Sequence, residues 1–290
     1  MVEVSAKDVM TLRGRTSAGI MDAKKALQEA GGDMDQAAEL LRKWGAGRAD
    51  AKMANEMKEG LIGGKVSPDG KLGVILRLGC QTDFVARNEA FVKLLADLVK
   101  LAFENPVTTA ADLNQLPWVD GSGRSVETVI KELVGGSIKE NMAVTGLSRC
   151  SAPHGAVGMY IHHNAKVGAL VQIDGSSDPK VAAVAQEIAM HVTAGVPMVP
   201  AAISREQVDP ARIESEKAET LEAHKGKPPQ VLEKIIHSKL EKFYGEHVLL
   251  EQPFVKDDKK QIRELLSQVG SSVGAQLTLK TFSRFKVGEA

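Results

Sequence analysis

The chain has 290 residues, 43% of them hydrophobic, so it can bury a sizeable core and exceeds the size at which single cores usually divide into domains. Lys plus Arg and Asp plus Glu both number 37, and this balance gives no overall field that would attract nucleic acid or an anionic membrane. Cys80 and Cys150 lack the close spacing of zinc or thiol-redox motifs, and no apolar run approaches the length of a membrane span. We therefore expect two or more domains, reduced cysteines and a cytoplasmic protein.

Residues 1–47 are predicted to form a module of three short helices. The first helix is expected to end at Arg13-Gly14-Arg15, and the second covers about residues 20–30. This order of helix, glycine-bearing turn, helix, Gly-Gly and helix resembles a ubiquitin-associated-like domain, which implies protein recognition. Ile20 and Met21 follow the first turn, where they are either anchors for a partner or buried staples.

The pattern changes after this module. Gly45-Ala46-Gly47 is predicted to end the third helix, and the polar residues 48–59 are predicted to form a connecting arm. Two apolar runs joined by a turn of Ser, Pro, Asp and Gly then predict a β-hairpin, and helices and a final strand complete a first core half, residues 60–152. The predicted elements of this half are strands 61–66 and 71–78, helices 91–102 and 126–133, and strand 142–150.

Residues 80–89 join the hairpin to the long helix and are the main candidate for the functional site. Phe84 lies between Asp83 and Arg87, so an aromatic ring and a carboxylate can be presented together at a strand-to-helix junction. The alternative is structural: Phe84 packs under the helix as a staple, and Asp83 caps the first helical turn by accepting a backbone N–H. The residues alone leave both interpretations open.

The hairpin pattern returns later in the chain, which indicates an internal duplication. Gly168 follows Gly73 by 95 positions, within similar runs of apolar residues. A second core half, residues 153–290, is therefore predicted to repeat the order hairpin, helix, helix and strand. Each half would bury one sheet face beneath helices, which defines an α+β fold.

The two predicted halves differ in two places. At the spacing of the duplication, Asp178 and Pro179 stand where the first half has Asp83 and Phe84, so the aromatic side chain belongs to the first half alone. The second half also contains a charged insertion, residues 205–244, which is predicted to form a helical hairpin or coiled coil with a narrow apolar seam.

Motifs of the common catalytic mechanisms are absent. The sequence has no phosphate-binding loop, dinucleotide fingerprint, HExxH motif or nucleophile elbow. His162 and His163 are predicted to lie in a strand, where adjacent side chains face opposite sides and cannot readily share a metal. His191 lies beside the apolar face of its helix, which favours an interface or core histidine over a catalytic base. We expect no covalent chemistry, no metal and no cofactor.

Six segments, in the same order along the chain, resemble bacterial elongation factor Ts. The run TDFVARNEAF, residues 82–91, looks like the signature of this family and overlaps the second of these segments. The segments are residues 12–32, 80–88, 160–168, 188–192, 250–255 and 284–289. Two departures stand out: Arg13-Gly14-Arg15 has a glycine where the family usually continues a charged helix, and Lys139-Glu140-Asn141 stands where the family usually has Gly-Glu-Asn.

The resemblance implies a guanine nucleotide exchange factor for the translation GTPase elongation factor Tu. In the family a Thr-Asp-Phe-Val tip enters the G domain of this partner near its magnesium site. Magnesium bridges the nucleotide phosphates in such GTPases, so disturbing its ligands would loosen GDP. The side chains carried over to the tip are Thr82, Asp83, Phe84 and Val85. The residues carried over to further partner contacts are Leu12, Ile20, Met21 and His191.

The resemblance also bears on assembly and on the alternative function. A homodimer of the complex with elongation factor Tu is left open, and no membrane or direct nucleic-acid partner is expected. The alternative is an interaction scaffold or RNA-associated protein without exchange activity, for which Lys234, Lys239 and Lys242 offer a local basic patch. Release of fluorescent GDP from elongation factor Tu would separate the two.

Overall fold

The computed structural model describes residues 4–16, 18–52 and 55–289 and shows an α+β protein. The chain divides into two compact units. The first comprises the described residues of 1–63, 76–148 and 285–290, and the second comprises 64–75 and 149–284. The described part of the predicted N-terminal module therefore belongs to the first unit. Residues 53 and 54 of the predicted arm lie outside the described residues.

The first three helices pack on one another through small and aliphatic side chains. They are α1 (Ala6–Thr16), α2 (Ile20–Glu29) and α3 (Met34–Lys52). Their buried residues form one cluster of Val9, Leu12, Ala23, Ala26, Leu27, Ala37 and Ala38. The prediction for the second helix is confirmed. The predicted end of the first at Arg13–Arg15 is wrong, because α1 continues to Thr16, whose hydroxyl donates to the Leu12 carbonyl at 2.8 Å.

The hairpin, the long helix and the strand of the first core half are confirmed. The elements that follow α3 are β1 (Glu59–Val66), β2 (Leu72–Cys80), α4 (Asp83–Ala86), α5 (Glu89–Glu104), α6 (Ala110–Gln115), α7 (Val126–Gly135) and β3 (Met142–Ser151). The three strands form a sheet of order β1-β2-β3. The short helices α4 and α6 were not predicted, because the sequence pattern indicated only a turn and a loop there.

The predicted break at Gly45-Ala46-Gly47 is wrong, since α3 continues through it to Lys52. The small residue at Gly45 serves a close contact between helices instead of ending one. A Cβ atom added at Gly135, the last residue of α7, would collide with the Gly45 carbonyl group. The backbones of α3 and α7 therefore meet directly, which fixes the N-terminal helices to the rest of the first unit.

The second unit repeats the order of hairpin, helix, helix and strand, with additions. Its elements are β4 (Gly155–Ile161), β5 (Val167–Asp174), α8 (Pro179–Ala194), α9 (Pro210–Ala223), α10 (Pro229–His247), β6 (Pro253–Phe254), β7 (Asp257–Gln261), α11 (Ile262–Val273) and β8 (Thr278–Lys286). Strand β4 pairs antiparallel with β5, and the sheet order is β4-β5-β8. This order matches that of the first sheet, because in each case the last strand lies beside the second strand of the hairpin.

Two helices, α9 and α10, occupy the predicted insertion, and their base is tied by an arginine. The Arg205 guanidinium donates from Nη2 to Glu241 Oε2 and to Glu251 Oε2, each at 2.7 Å. It also lies over the Tyr244 ring. The hydrogen bond from Arg205 and its charge lower the pKa of Glu251, which is only 8% exposed in its side chain. Bidentate guanidinium–carboxylate pairs are strong and specific in geometry, so Arg205 joins the start of the insertion to α10 and to the segment that follows it.

The closing segment of the chain is held by a buried arginine of β2. Arg77 donates from Nε to the Thr145 hydroxyl at 2.8 Å and from Nη1 to the Lys286 carbonyl at 2.8 Å. It also donates to the carbonyl oxygens of Thr145 and Glu289. Because a buried charge is costly unless its donors are satisfied, this network anchors the chain end to the first unit.

Candidate functional site: an exposed tip between strand and helix

The candidate site is the tip, defined as residues 82–85, between β2 and α5. Thr82 is the N-cap of α4, and its hydroxyl oxygen accepts the Val85 N–H at 3.4 Å. Asn88 is the N-cap of α5 and accepts the Ala90 N–H at 2.8 Å. Threonine and asparagine are favoured at these positions because their side chains bond N–H groups that have no helical partner. Two caps in close succession fold this stretch into a very short helix followed by a long one.

Phe84 projects from α4 into solvent. It is 82% exposed, whereas Val85 and Ala86 beside it are 7% and 2% exposed. Val85 and Ala86 therefore anchor the tip in the core, while Phe84 presents its aromatic ring outwards. The structural alternative for Phe84 is wrong, because the ring does not pack beneath the helix. The alternative for Asp83 is also wrong, because Thr82 occupies the N-cap position.

Asp83 and Arg87 form an ion pair on the outer side of α4. The distance between Asp83 Oδ2 and Arg87 Nη2 is 3.1 Å, and the two side chains are 45% and 81% exposed. An exposed pair one helical turn apart contributes little to stability and is easily exchanged for another partner. The carboxylate beside Phe84 is thus accessible to a second protein.

The N-terminal residues that the resemblance points to are divided between core and surface. Ile20 and Met21, in the first turn of α2, are 52% and 75% exposed. Leu12 is fully buried in the cluster of the first three helices. The role of Leu12 in partner binding stays a prediction, and of these three residues Ile20 and Met21 are the ones that present apolar surface.

His191 is a core residue of the second unit and is 1% exposed. Its Nε2 lies 2.9 Å from Gln252 Oε1, and its Nδ1 accepts the Val255 N–H at 3.2 Å. These partners require a neutral ring with the proton on Nε2, and burial lowers the pKa of His191 accordingly. The predicted role of His191 in partner binding stays a prediction, and with the side chain buried this role would pass through the neighbouring backbone. The sequence favours an interface or core histidine here, and the structure shows a core histidine.

His162 and His163 lie side by side just after β4. His162 and His163 follow β4 in a turn, so their predicted position in a strand is wrong, and their ring centroids are 4.1 Å apart. Within the described ranges, no three His, Cys, Asp or Glu side chains are grouped as metal ligands. Among the same residues, no helix is both long and apolar enough to cross a membrane.

Sequence reasoning missed the support of the tip. The Thr82 hydroxyl donates to the Glu140 carboxylate, and these residues are 58 positions apart in the chain. Glu140 was noticed only as part of a segment that departs from the family pattern. No spacing rule connects residues this distant, so only the pairing of β2 with β3 brings them together.

The comparisons with known proteins show the family of this chain. Residues 81–289 match the family model described as "Elongation factor TS". The chain is thereby placed among the translation elongation factors.

Proteins named elongation factor Ts match it along its whole length. The one from Prosthecochloris aestuarii is 39% identical over 99% of this chain and 100% of its own. Those from Chlorobium limicola and Hyphomonas neptunium are 38% and 42% identical over all of this chain and 100% and 93% of theirs. The chain belongs to the elongation factor Ts family.

Proposed function

We propose that this protein binds elongation factor Tu in its GDP-bound form and accelerates the release of GDP. The observation that carries the proposal is Phe84, an aromatic residue that is 82% exposed on a helix of four residues. A large aromatic side chain held in water gains free energy when it enters a pocket of a partner, and such residues are typical hot spots of interfaces.

The proposed mechanism requires displacement and no covalent chemistry. Phe84 enters between elements of the partner's G domain, and the Asp83 carboxylate approaches the surroundings of its magnesium ion. Magnesium neutralises the phosphates of the bound nucleotide, so disturbing its ligands weakens GDP binding. By thermodynamic linkage, the nucleotide weakens binding of the exchange factor by the same factor, which releases the factor when GTP binds.

Other surfaces supply affinity in this proposal. Ile20 and Met21 add an exposed apolar contact in the first unit. Leu12 and His191 act from within the core, Leu12 by holding α1 and His191 by fixing the backbone of Val255, which is itself 40% exposed. The protein would act in the cytoplasm, where translation takes place.

The direct test is the release of a fluorescent GDP analogue from purified elongation factor Tu. The wild-type protein should accelerate release in a dose-dependent manner, and Phe84→Ala should slow the stimulated rate by about tenfold or more. Val119→Ala is a control, since Val119 is 42% exposed in the same unit but lies outside the tip. This variant should accelerate GDP release from elongation factor Tu as much as the wild type does. A wild-type protein without effect would refute the proposal and favour the scaffold alternative.

A further inference from the structure

The tip is held from the side by a carboxylate of a distant segment. The Thr82 backbone N–H donates to Glu140 Oε2 at 3.1 Å, and the Thr82 hydroxyl lies 2.9 Å from both carboxylate oxygens. The same hydroxyl accepts the Val85 N–H inside α4. A hydroxyl has one proton to donate and can accept as well, so both roles are met at once. Glu140, Thr82 and the first turn of α4 thus form one continuous chain of hydrogen bonds.

The residue after Glu140 holds the residue before Thr82. The Asn141 backbone N–H donates to Gln81 Oε1 at 3.0 Å, and the Asn141 side-chain amide donates to the Asn55 carbonyl at 2.9 Å. Asn141 is 4% exposed, and β3 begins directly after it. Glu140 and Asn141, the two residues directly before β3, therefore bind Thr82 and Gln81 where the chain enters the tip.

Glu140 binds the N-cap residue of α4 through its carboxylate. Hydrogen bonds to a carboxylate are stronger than those between neutral groups, and Glu140 makes them to both the backbone and the side chain of the N-cap. Among the residues that the structure describes, Asp83, Phe84 and Arg87 make no comparable hydrogen bond or ion pair to another segment, since the ion pair between Asp83 and Arg87 is local. The orientation of Phe84 consequently depends on how firmly Thr82 is held.

We propose that Glu140 is a positioning residue for nucleotide exchange, which keeps the tip in the conformation that enters the partner. The inference rests on the proposed exchange function. Preorganising a binding element lowers the entropy lost on association, so releasing Thr82 would leave Phe84 exposed but badly oriented. The loss would appear mainly in the maximum rate of GDP release, because the other partner surfaces are untouched.

The first experiment measures GDP release as a function of protein concentration for Glu140→Ala, Glu140→Gln and a matched control. Glu140→Ala should reduce the maximum rate by about tenfold, with less than about threefold change in the concentration giving half the effect. Glu140→Gln keeps an oxygen acceptor and should recover most of the rate. Asp112→Asn is the control, because Asp112 accepts the hydroxyl of the N-cap Thr109 of α6 at 2.7 Å, the same chemistry outside the tip.

The second experiment detects positioning in the free protein. Amide hydrogen exchange of residues 83–88 should be faster in Glu140→Ala, while the amides in the middle of α5 keep their protection. The double variant Phe84→Ala with Glu140→Ala should release GDP no more slowly than Phe84→Ala alone, because Glu140 acts through Phe84. If Glu140→Ala does not fold, Thr82→Val, which removes the hydroxyl but keeps the shape, is measured in its place.

The results separate the two proposals. The positioning role is overturned if Glu140→Ala reaches the wild-type rate, if the tip amides keep their protection, or if the effects of Phe84→Ala and Glu140→Ala simply add. The exchange function fails if the wild-type protein does not accelerate GDP release. In that case the hydrogen-exchange result still decides whether Glu140 orders the tip.

Discussion

The junction between hairpin and long helix differs between the two units. In the second unit, Asp178 caps α8 directly, accepting the Lys180 N–H at 2.9 Å. In the first unit, the cap of α5 is Asn88, and the helix α4 with its exposed Phe84 precedes it. Asp178 therefore corresponds to Asn88, and the predicted correspondence of Asp178 with Asp83 is wrong.

The spacing of the duplication explains this difference. Gly168 follows Gly73 in the strands by 95 positions, whereas Val181 follows Phe91 in the helices by 90. The first unit is longer by five residues between strand and helix, and the tip lies in this addition. The repeated fold therefore forms without the tip, so the tip can have a function other than folding.

The buried positions of the two long helices coincide at the same spacing of 90. Seven buried residues of α5 each correspond to a buried residue of α8, and Leu101 corresponds to His191. The buried residues of α5 are Phe91, Leu94, Leu95, Leu98, Val99, Leu101 and Ala102. His191 is therefore explained as a core position of the duplicated fold, occupied by a histidine because Gln252 and the Val255 N–H offer hydrogen bonds there.

The largest stability effect is expected from truncating this shared core position in both units. His191→Ala and Leu101→Ala should each lower the free energy of unfolding by about 2–5 kcal/mol, since both remove a buried side chain and the first also leaves Gln252 unsatisfied. Chemical denaturation of the two variants measures the effect. A His191→Ala protein as stable as the wild type would contradict the claim that His191 occupies the same core position as Leu101.

The pH dependence of stability distinguishes the two positions. Burial lowers the pKa of His191 in the folded protein, so below its unfolded pKa the unfolded chain binds a proton that the folded one does not. Stability should fall as the pH drops from 7.5 towards 5.5, by at most about 1.4 kcal/mol per pH unit for this group. Leu101→Ala should keep this dependence, and His191→Ala should reduce it. His247, whose pKa is also lowered by burial, accounts for a remainder.

A smaller effect is expected where the first unit receives its N-terminal helices. Gly135→Ala should destabilise the first unit by about 1–3 kcal/mol, because the added methyl group meets the Gly45 backbone. Gly14→Ala is the matched control, since nothing lies within 4 Å of a Cβ at this position in α1, and a gain of about 0.5–1 kcal/mol is expected. Thermal unfolding of both variants tests this contact, and equal stabilisation by both would disprove it.

The smallest effect concerns the turn before the last strand of each unit. Lys139 has a φ of +62°, and Gly274, which ends α11 in the second unit, has a φ of +66°. Lys139→Gly should stabilise the first unit by no more than about 1 kcal/mol, because glycine adopts this left-handed conformation without a steric penalty. Gly274→Ala should destabilise the second unit by a similar amount. An unfolding midpoint that falls in Lys139→Gly would show that the lysine side chain matters more than its backbone strain.

The sequence was sufficient for features that depend on local patterns. The hairpins, α5, α8 and the two helices of the insertion followed from periodicity, caps and turn residues. Features that depend on distant contacts were missed. The sequence pattern at Gly45 predicts a helix end, because the sequence does not reveal the contact of Gly45 with Gly135. Nor does it reveal the hydrogen bond between Thr82 and Glu140.

The sequence alone also could not predict which candidate residues are exposed to solvent. Phe84 and Phe91 are both phenylalanines beside a helix start, yet one is 82% exposed and the other fully buried. Ile20 and Leu12 are both aliphatic residues of the N-terminal helices and differ in the same way. Burial is decided by the packing of whole elements, so a motif identifies candidate residues but not which of them face a partner.

The central claim is that the tip serves exchange and not folding, and Phe84→Ala measured beside Phe91→Ala tests it most directly. Phe84→Ala should change the free energy of unfolding by less than about 0.5 kcal/mol and still slow GDP release by about tenfold or more. Phe91→Ala should lose about 3–5 kcal/mol of stability. A Phe84→Ala protein that loses as much stability as Phe91→Ala, or that releases GDP at the wild-type rate, would contradict the account.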